Sequence, residues 1–393
     1  MDQPIPTGLD DITPAWLTAA LRSTDVIGPE DSIDEIEVTV LGTGEGFAGD
    51  LARLNVGYGS GGGPATMVAK IPTSIDDNRN GSEMLGVYER EIGMYQEILP
   101  GLDLPVPRLY YADVDPNPNW QKQLDGVKRA EKLPIWFIRF LAWLLRRFVK
   151  VESRPSVLII EDLAPAEIGD QVRGTTMERI GAVLEVAAKL HASTWDTAAP
   201  PADRWLQSGG FAPKLSQATF LGMRKKFLNG AGRAVSPHTR ALVGRLADDG
   251  IARGERLHET MPQCLCHGDL RLDNVFFTDD GEVRALIDWQ LTRLAAGVVD
   301  VAYFIGGSVE EDTPEAEVEG LLRRYHDALV ANGVSDYPWE RFLRDYDDGL
   351  LGTLGGLTLI EQLDLGDDRG VDLGKKMVSR LDARLARIPA TAG

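Results

Sequence analysis

The sequence predicts an α+β fold in two parts, an antiparallel sheet followed by a mainly helical region. Strand-like segments dominate as far as about residue 163, and segments with helical spacing dominate after it. The chain has 393 residues and is 43% apolar, which is enough to build two hydrophobic cores. We therefore expect one domain over 1–163 and a second over 164–393.

The first part opens with helical apolar spacing over 12–23, where Thr13 can cap the helix and Pro14 can occupy its first turn. A second helix is predicted over 82–99, because the spacing stops at Pro100-Gly101. Alternating or continuous apolar runs predict strands between and after these helices. The predicted strands are 36–42, 51–59, 66–72, 105–114 and 156–164.

The second part is interrupted by one hairpin, over 274–288, whose turn is Thr-Asp-Asp-Gly. Its other periodic segments predict helices. They are 176–196, 216–228, 236–259, 314–332, 338–364 and 372–387.

Composition excludes some classes of function. A formal net charge of −19 argues against a nucleic-acid partner, and it is compatible with an ordinary enzyme or with a cationic substrate. Cys264 and Cys266 are the only cysteines, too few for a structural zinc site, and they indicate a reducing compartment. The sequence begins without a signal-peptide pattern and has no apolar run of about twenty residues, so we expect a cytoplasmic protein.

The strongest functional signal is His-Gly-Asp-Leu-Arg-Leu-Asp-Asn at 267–274, followed after the hairpin by Ile-Asp-Trp. Transfer of a phosphoryl group needs a divalent cation held by oxygen ligands and a carboxylate that orients the attacking hydroxyl. A tight hairpin would bring the amide of Asn274 beside the carboxylate of Asp288, with Asp269 five residues upstream. The alternative is a polar loop whose side chains only cap turns.

This pattern resembles the catalytic loop and metal-binding segment of the aminoglycoside phosphotransferase and choline kinase superfamily, which has a two-lobed protein-kinase-like fold. The flanking sequence is most similar to the ecdysteroid-kinase-like branch. The resemblance implies that Asp269 is the catalytic base and that Asn274 and Asp288 bind Mg²⁺. It also implies that His267 braces the loop, and we include Arg271 of the same loop among the catalytic candidates.

A Gly-x-Gly-x-x-Gly string formed by Gly44, Gly46 and Gly49 lies between two predicted strands. In a dinucleotide-binding fold it would lead into a helix, with an acidic residue about twenty positions later. Here a strand follows, and Lys70 stands twenty-one residues after Gly49, which favours phosphate binding. The string resembles the glycine loop of ecdysteroid-kinase-like proteins, which usually have serine where this chain has Gly49; a plain hairpin turn is the alternative.

Lys70 resembles the third-strand lysine that binds the α- and β-phosphates in this superfamily, with Glu91 as its expected partner and Glu89 as the second choice. The alternative is a solvated lysine on an edge strand. Residues 158–163 resemble the hinge whose main chain binds adenine, which adds Glu161 and Leu163 to the cofactor-binding candidates.

Two other residues match positions of the family. Asp300 falls where the family has an aspartate that supports the catalytic loop, and we assign it a structural role. His191 also matches a family position, and helix packing is the simpler explanation for it.

The resemblance implies transfer of the γ-phosphoryl group of ATP, with Mg²⁺, to a hydroxyl of a small molecule. Only twelve residues separate Asp288 from Asp300, too few for the peptide-docking platform of protein kinases. A catalytically silent nucleotide-binding protein of the same fold is the main alternative. A metal hydrolase built on His267, Asp269 and Asp288 would need more histidines than the five present.

We expect the acceptor pocket to come from helices within 205–235 and 340–370. The second of these segments is rich in acidic residues, which could hold a cationic acceptor or form a solvated face.

Residues 120–152 form an insertion, assigned here to the first domain, where the family has a short connection. Between 120 and 150 there are eight Lys or Arg and two acidic residues, and aromatic and aliphatic residues cover the rest of the predicted helix. Residues 133–150 could contact a membrane surface, cover a lipophilic acceptor as a lid, or form a dimer contact, or they could pack on their own domain.

Overall fold

The computed structural model describes residues 3–41, 49–148, 153–196, 205–206, 212–358 and 368–389. The chain divides into two compact units. The first contains the described residues of Met1–Pro118 and Lys150–Pro165, and the second contains those of Asn119–Val149 and Ala166–Gly393.

The first unit is built on a five-stranded antiparallel sheet, as the sequence predicts. Its strands are β1 Ser32–Leu41, β2 Gly49–Ser60, β3 Thr66–Pro72, β4 Leu109–Val114 and β5 Ser156–Glu161. They lie in the order β1-β2-β3-β5-β4, so β3 is a central strand. In this register Lys70 of β3 is paired with Leu51 on one side and Leu158 on the other. The edge-strand alternative for Lys70 is therefore wrong.

One face of this sheet is covered by helix α1, Pro14–Ser23, whose Trp16 and Leu17 belong to the core of the unit. The hydroxyl oxygen of Thr13 accepts a hydrogen bond from the main-chain N–H of Trp16 at 3.2 Å, and Pro14 is the first helical residue. Both features agree with the capping pattern in the sequence.

The helix predicted over 82–99 is divided between two α-helices, and its last part, Met94–Ile98, is a π-helix. Helix α2, Asp76–Leu85, ends at Gly86, which has φ +64° in the left-handed region, and α3, Val87–Gly93, begins directly after it. A glycine adopts this conformation without a steric cost, so it ends α2 and turns the chain into α3. The apolar spacing continues through the break, which is why the spacing alone did not show it.

The second unit is mainly helical. Its helices are α4 Trp120–Ala130, α5 Ile135–Phe148, α6 Met177–Ser193, α7 Pro213–Asn229, α8 Pro237–Glu259, α9 Val298–Ser308, α10 Glu315–Ala331, α11 Trp339–Leu357 and α12 Asp368–Leu385. Helix α9 has no counterpart among the predicted helices. Most of its residues are buried, so it has no polar face and shows no amphipathic period.

Two small antiparallel sheets complete the second unit. Their strands are β6 Glu167–Ile168, β7 Gln263–Cys266, β8 Val275–Phe277, β9 Val283–Leu286 and β10 Arg293–Ala296. One sheet pairs β7 with β10, and the other has the order β6-β8-β9. The β8–β9 pair is the hairpin that the sequence predicts.

The structure differs from the predicted organisation at the insertion. Helices α4 and α5 group with the second unit, because α5 packs on α7. The carboxylate of Glu131 accepts hydrogen bonds from the main-chain N–H groups of Lys214 and Leu215, at 2.9 and 2.8 Å, and so caps the start of α7. Across the described residues, no helix combines the length and the apolar character needed to cross a bilayer.

Candidate active site

The loop that carries the His-Gly-Asp pattern follows β7 and leads into the β8–β9 hairpin. The main-chain N–H of Ile287 donates to the carbonyl of Asn274 at 3.0 Å, and Val275 pairs with Leu286. The hairpin therefore returns the chain so that Asn274 and Asp288 lie at the same end of it. This is the arrangement that the spacing of the two residues predicts.

Asp269 is held by three side chains. The Tyr303 hydroxyl donates to its Oδ1 at 2.9 Å, while Arg271 Nε and Asn274 Nδ2 donate to its Oδ2 at 3.3 and 3.2 Å. Its side chain is 14% exposed. Burial raises the pKa of Asp269, but Arg271 and Tyr303 outweigh burial and hold it below the ordinary value. Asp269 is thus an oriented, ionised carboxylate that still reaches solvent.

Asn274 presents its amide oxygen away from Asp269. Its Nδ2 donates to both the main-chain carbonyl and the carboxylate of Asp269, at 2.9 and 3.2 Å. Among the described residues no group donates to Asn274 Oδ1. Asp288 has φ +65°, in the left-handed region that aspartate tolerates better than most residues, and its Oδ2 accepts from Gln290 at 3.2 Å. An amide oxygen and a carboxylate at one end of a hairpin fit the oxygen preference of Mg²⁺.

His267 connects the two ends of this arrangement. Its Nε2 donates to the carbonyl of Ile287 at 2.9 Å, and its Nδ1 accepts from the main-chain N–H of Asp269 at 3.3 Å. This pattern corresponds to the neutral ring with its proton on Nε2. The ring is fully buried, so its role is to position the loop rather than to contact a substrate.

Asp300 of α9 holds the start of the loop from the opposite side. Its carboxylate accepts hydrogen bonds from the main-chain N–H groups of His267 and Gly268, at 2.6 and 3.1 Å. Gly268 has φ +83°, and a Cβ atom there would lie 2.0 Å from the carbonyl oxygen of Leu291. The glycine of the pattern is therefore required by the backbone.

Two further residues of the site were not found in the sequence. Gln171, fully buried, accepts a hydrogen bond from Leu272 N–H at 2.7 Å and donates to the Gly307 carbonyl at 2.7 Å. Tyr303, described above, lies one helical turn after Asp300 and therefore on the same face of α9. That spacing could have indicated Tyr303, whereas Gln171 lies about a hundred residues before the loop and gave no signal.

A buried cluster of His191, Cys264 and Cys266 lies behind the loop, with potential metal-ligating atoms within 4.8 Å of one another. Both ring nitrogens of His191 already have partners, Tyr325 Oη at 2.8 Å and Asp300 Oδ2 at 3.4 Å. Burial lowers the pKa of His191, but the combined interactions with Asp300 and Cys266 outweigh burial and raise it to about 9. Because both ring nitrogens of His191 are engaged by these partners, the cluster is better described as packing behind Asp300 than as a metal site.

In the first unit, Lys70 forms an ion pair with Glu91. Lys70 Nζ lies 2.7 Å from Glu91 Oε2 and 3.0 Å from Oε1, and the two side chains are 14% and 6% exposed. Glu89, the second choice as partner, instead pairs with Arg154, which also binds Glu83 at 2.6 Å. The structure thus assigns the two glutamates of α3 to different cations.

Gly49, the last glycine of the Gly-x-Gly-x-x-Gly string, is the first residue of β2. A Cβ at this position would come within 3.0 Å of Lys70 Cγ and Cε and of the Ile71 carbonyl oxygen. The glycine thus makes room for the lysine side chain. Gly44 and Gly46 lie outside the described residues.

At the predicted hinge, Glu161 is used to hold the sheet together. Its main-chain N–H donates to the Arg108 carbonyl at 2.9 Å, and its carboxylate accepts from Arg108 N–H at 3.1 Å. The Asp162 carboxylate binds Arg53 Nε at 2.7 Å and Ala164 N–H at 3.2 Å. Within the part of the chain that is described, the main-chain groups of Leu163 make no hydrogen bond, so Leu163 suits adenine better than Glu161 does.

The acidic segment near residue 345 is largely neutralised by neighbouring groups. Asp348 pairs with Arg253, and Asp347 lies 2.9 Å from Arg387. Asp345 accepts from the Tyr337 hydroxyl at 2.8 Å. These contacts favour a structural role over a site for a cationic acceptor. Residues 359–367 of this segment are outside the described residues.

Comparison with known proteins agrees with the resemblance. The model of the ecdysteroid kinase-like family matches residues 144–334, just under half of the chain, and this span includes residues 158–163, the His-Gly-Asp loop, the hairpin and α9. The predicted resemblance is therefore confirmed over this span. No curated protein sequence matches the chain.

Solved structures confirm the two-lobed kinase-like fold. A choline kinase from Cryptosporidium parvum Iowa II has a TM-score of 0.54 at 11% identity, covering 96% of each chain. An amicoumacin kinase in complex with AMP-PNP, Ca²⁺ and Ami has a TM-score of 0.51 at 13% identity, covering 95% of this chain and 94% of that one. A candidate aminoglycoside phosphotransferase from Ralstonia eutropha JMP134 has a TM-score of 0.50 at 15% identity, covering 94% and 97%.

Proposed function

We propose that this protein transfers the γ-phosphoryl group of ATP to a hydroxyl group of a small molecule. The observation that carries the proposal is the environment of Asp269. An ionised carboxylate is held by Tyr303, Arg271 and Asn274, beside a hairpin end that offers oxygen ligands for a cation. A loop that only capped turns would not need this number of converging side chains.

In this proposal Asp269 accepts a hydrogen bond from the acceptor hydroxyl and orients it toward the γ-phosphorus of ATP. As the new P–O bond forms, the bond from the γ-phosphorus to the β,γ-bridging oxygen breaks, ADP leaves, and Asp269 takes the hydroxyl proton. Tyr303 and Arg271 fix the carboxylate in one rotamer. Mg²⁺ would be held by Asn274 Oδ1 and the Asp288 carboxylate, and when bound it would neutralise negative charge on the phosphates.

The nucleotide would be bound by groups of the first unit. Lys70 would contact phosphate oxygens, and its ion pair with Glu91 fixes the ammonium group on a central strand. The main-chain groups of Leu163 would bind the adenine edge. The solved nucleotide complex of the amicoumacin kinase supports the use of an adenine nucleotide with a divalent cation in this fold.

A small-molecule acceptor is favoured over a peptide by the chain that follows Asp288. One short turn leads into β10, and β10 leads into α9 at Val298, so no segment remains in which to build a peptide-docking platform. The names of the choline and amicoumacin kinases are consistent with this class of acceptor.

The proposal can be tested by measuring ATP consumption against a library of hydroxyl-bearing metabolites, with mass spectrometry of the product. Asp269→Asn should lower kcat by at least about a hundredfold with little change in nucleotide affinity. Asp288→Asn should instead weaken binding of the Mg²⁺–nucleotide complex. Asp312→Asn, which changes an exposed carboxylate of the same unit, is the matched control and should retain full turnover.

Two results would contradict the proposal. Wild-type turnover by Asp269→Asn would remove the assigned base. Nucleotide binding without consumption of ATP, for every acceptor in the library, would favour the catalytically silent alternative.

A further inference from the structure

Helix α5 exposes an apolar stripe along one of its faces. Trp136, Phe140 and Leu144 are 68%, 50% and 36% exposed, and they are four residues apart, so they share one face of the helix. Ile138, which lies about 200° around the helix from Trp136 and Phe140, is only 2% exposed. The helix is thus attached to its unit on one side and presents aromatic side chains on the other.

Helices α4 and α5, together with the segment that joins them, are strongly basic. Five cations of α4, α5 and their connection are exposed, and none forms an ion pair with another described residue: Lys122, Lys128, Arg129, Lys132 and Arg139. Between residues 120 and 148 the only acidic residues are Asp125 and Glu131, and the Glu131 carboxylate caps the start of α7. The whole chain carries −19, so this concentration of exposed cations stands out against the rest of the protein.

We propose that α4 and α5 dock the protein on an anionic membrane surface. Such a surface offers negative headgroups for the cations and an apolar layer just beneath them for the aromatic side chains. A nucleic acid would satisfy the cations, but it has no apolar layer for a Trp-Phe-Leu stripe. The stripe lies on the opposite side of the helix from the face that Ile138 buries, and its side chains are exposed to solvent. This inference does not depend on the proposed kinase activity.

The first test is co-sedimentation of the full-length protein with vesicles of phosphatidylcholine alone and with 30% phosphatidylserine. We expect binding only to the anionic vesicles, and we expect it to fall as salt rises from 50 to 300 mM. Trp136→Ser/Phe140→Ser should weaken binding by at least about tenfold. Val330→Ser is the matched control, because Val330 is 52% exposed on a different helix, and it should bind like the wild type.

The second test separates local charge from net charge. Lys128→Glu/Arg129→Glu should weaken vesicle binding by about thirtyfold or more, since each cation near an anionic surface contributes about fivefold. Arg233→Glu/Arg240→Glu makes the same change in net charge at exposed positions outside α4 and α5, and it should have little effect.

Three outcomes would overturn the inference. The first is no binding of the wild type to anionic vesicles, and the second is equal losses for the two charge reversals. The third is a dimer in analytical ultracentrifugation that the Trp136/Phe140 variant abolishes while vesicle binding is unchanged. That outcome would assign the stripe to a second copy of the chain.

Discussion

Replacement of Asp300 by asparagine tests how the His-Gly-Asp loop is held. Asp300 is only 1% exposed, and its carboxylate accepts hydrogen bonds from the main-chain N–H groups of His267 and Gly268, at 2.6 and 3.1 Å. It is also the anionic partner of the buried His191 ring. An asparagine has the same shape, so the substitution changes hydrogen bonding and charge without opening a cavity.

The magnitude follows from these contacts. A hydrogen bond to a buried charged group contributes about 1.5–3 kcal/mol, and asparagine retains only one accepting oxygen for two N–H donors. The second donor would face an NH₂ group and lose its partner, which costs about 1–3 kcal/mol. Together with the loss of the anion beside His191, we expect Asp300→Asn to lower the free energy of unfolding by about 3–5 kcal/mol.

Urea unfolding at pH 7, followed by fluorescence, measures this change directly. The double variant His191→Asn/Asp300→Asn completes a double-mutant cycle. Its loss of unfolding free energy should be smaller than the sum of the losses of the two single variants, because the two residues interact. A loss below about 1 kcal/mol for Asp300→Asn would refute the conclusion that this carboxylate holds the loop.

Three other predictions follow from the same geometry. Gly268→Ala should lower the free energy of unfolding in urea by at least about 3 kcal/mol, because φ is +83° and a Cβ would overlap a main-chain oxygen. The control is Gly320→Ala in an open part of α10, which should be neutral or stabilising. Glu91→Gln should weaken ATP binding by about tenfold in a nucleotide titration, because it removes the carboxylate that fixes Lys70. Glu89→Gln should lower thermal stability and leave ATP affinity unchanged. Weaker ATP binding by Glu89→Gln, with unchanged binding by Glu91→Gln, would exchange their roles. His191→Asn should lose about 3 kcal/mol more stability at and below pH 6.5 than above pH 9. Burial disfavours the charged ring, but Asp300 and Cys266 raise its pKa to about 9, so this part of the deficit should disappear as the pH rises through 9 and only the loss of packing should remain. An equal deficit at pH 6 and pH 10 would contradict the last prediction.

Much of the fold is determined locally and could be predicted. The cap at Thr13, the alternation of β3 and the hairpin after Asn274 each depend on neighbours within a few residues. Their physical causes, a side-chain cap, a two-residue period and a turn sequence, are present in the chain itself. Helix α9 lacked such a signal, because a helix buried on most sides has no polar face.

The candidate site divides in the same way. The sequence by itself determined which chemical groups lie within one loop and hairpin, because a tight hairpin fixes where Asn274 and Asp288 must meet. Tertiary structure alone decided that Gln171 joins them and that Glu89, the second choice as partner of Lys70, binds Arg154 instead. These contacts depend on how helices and strands far apart in the chain pack against one another, and packing leaves no fixed spacing in the sequence.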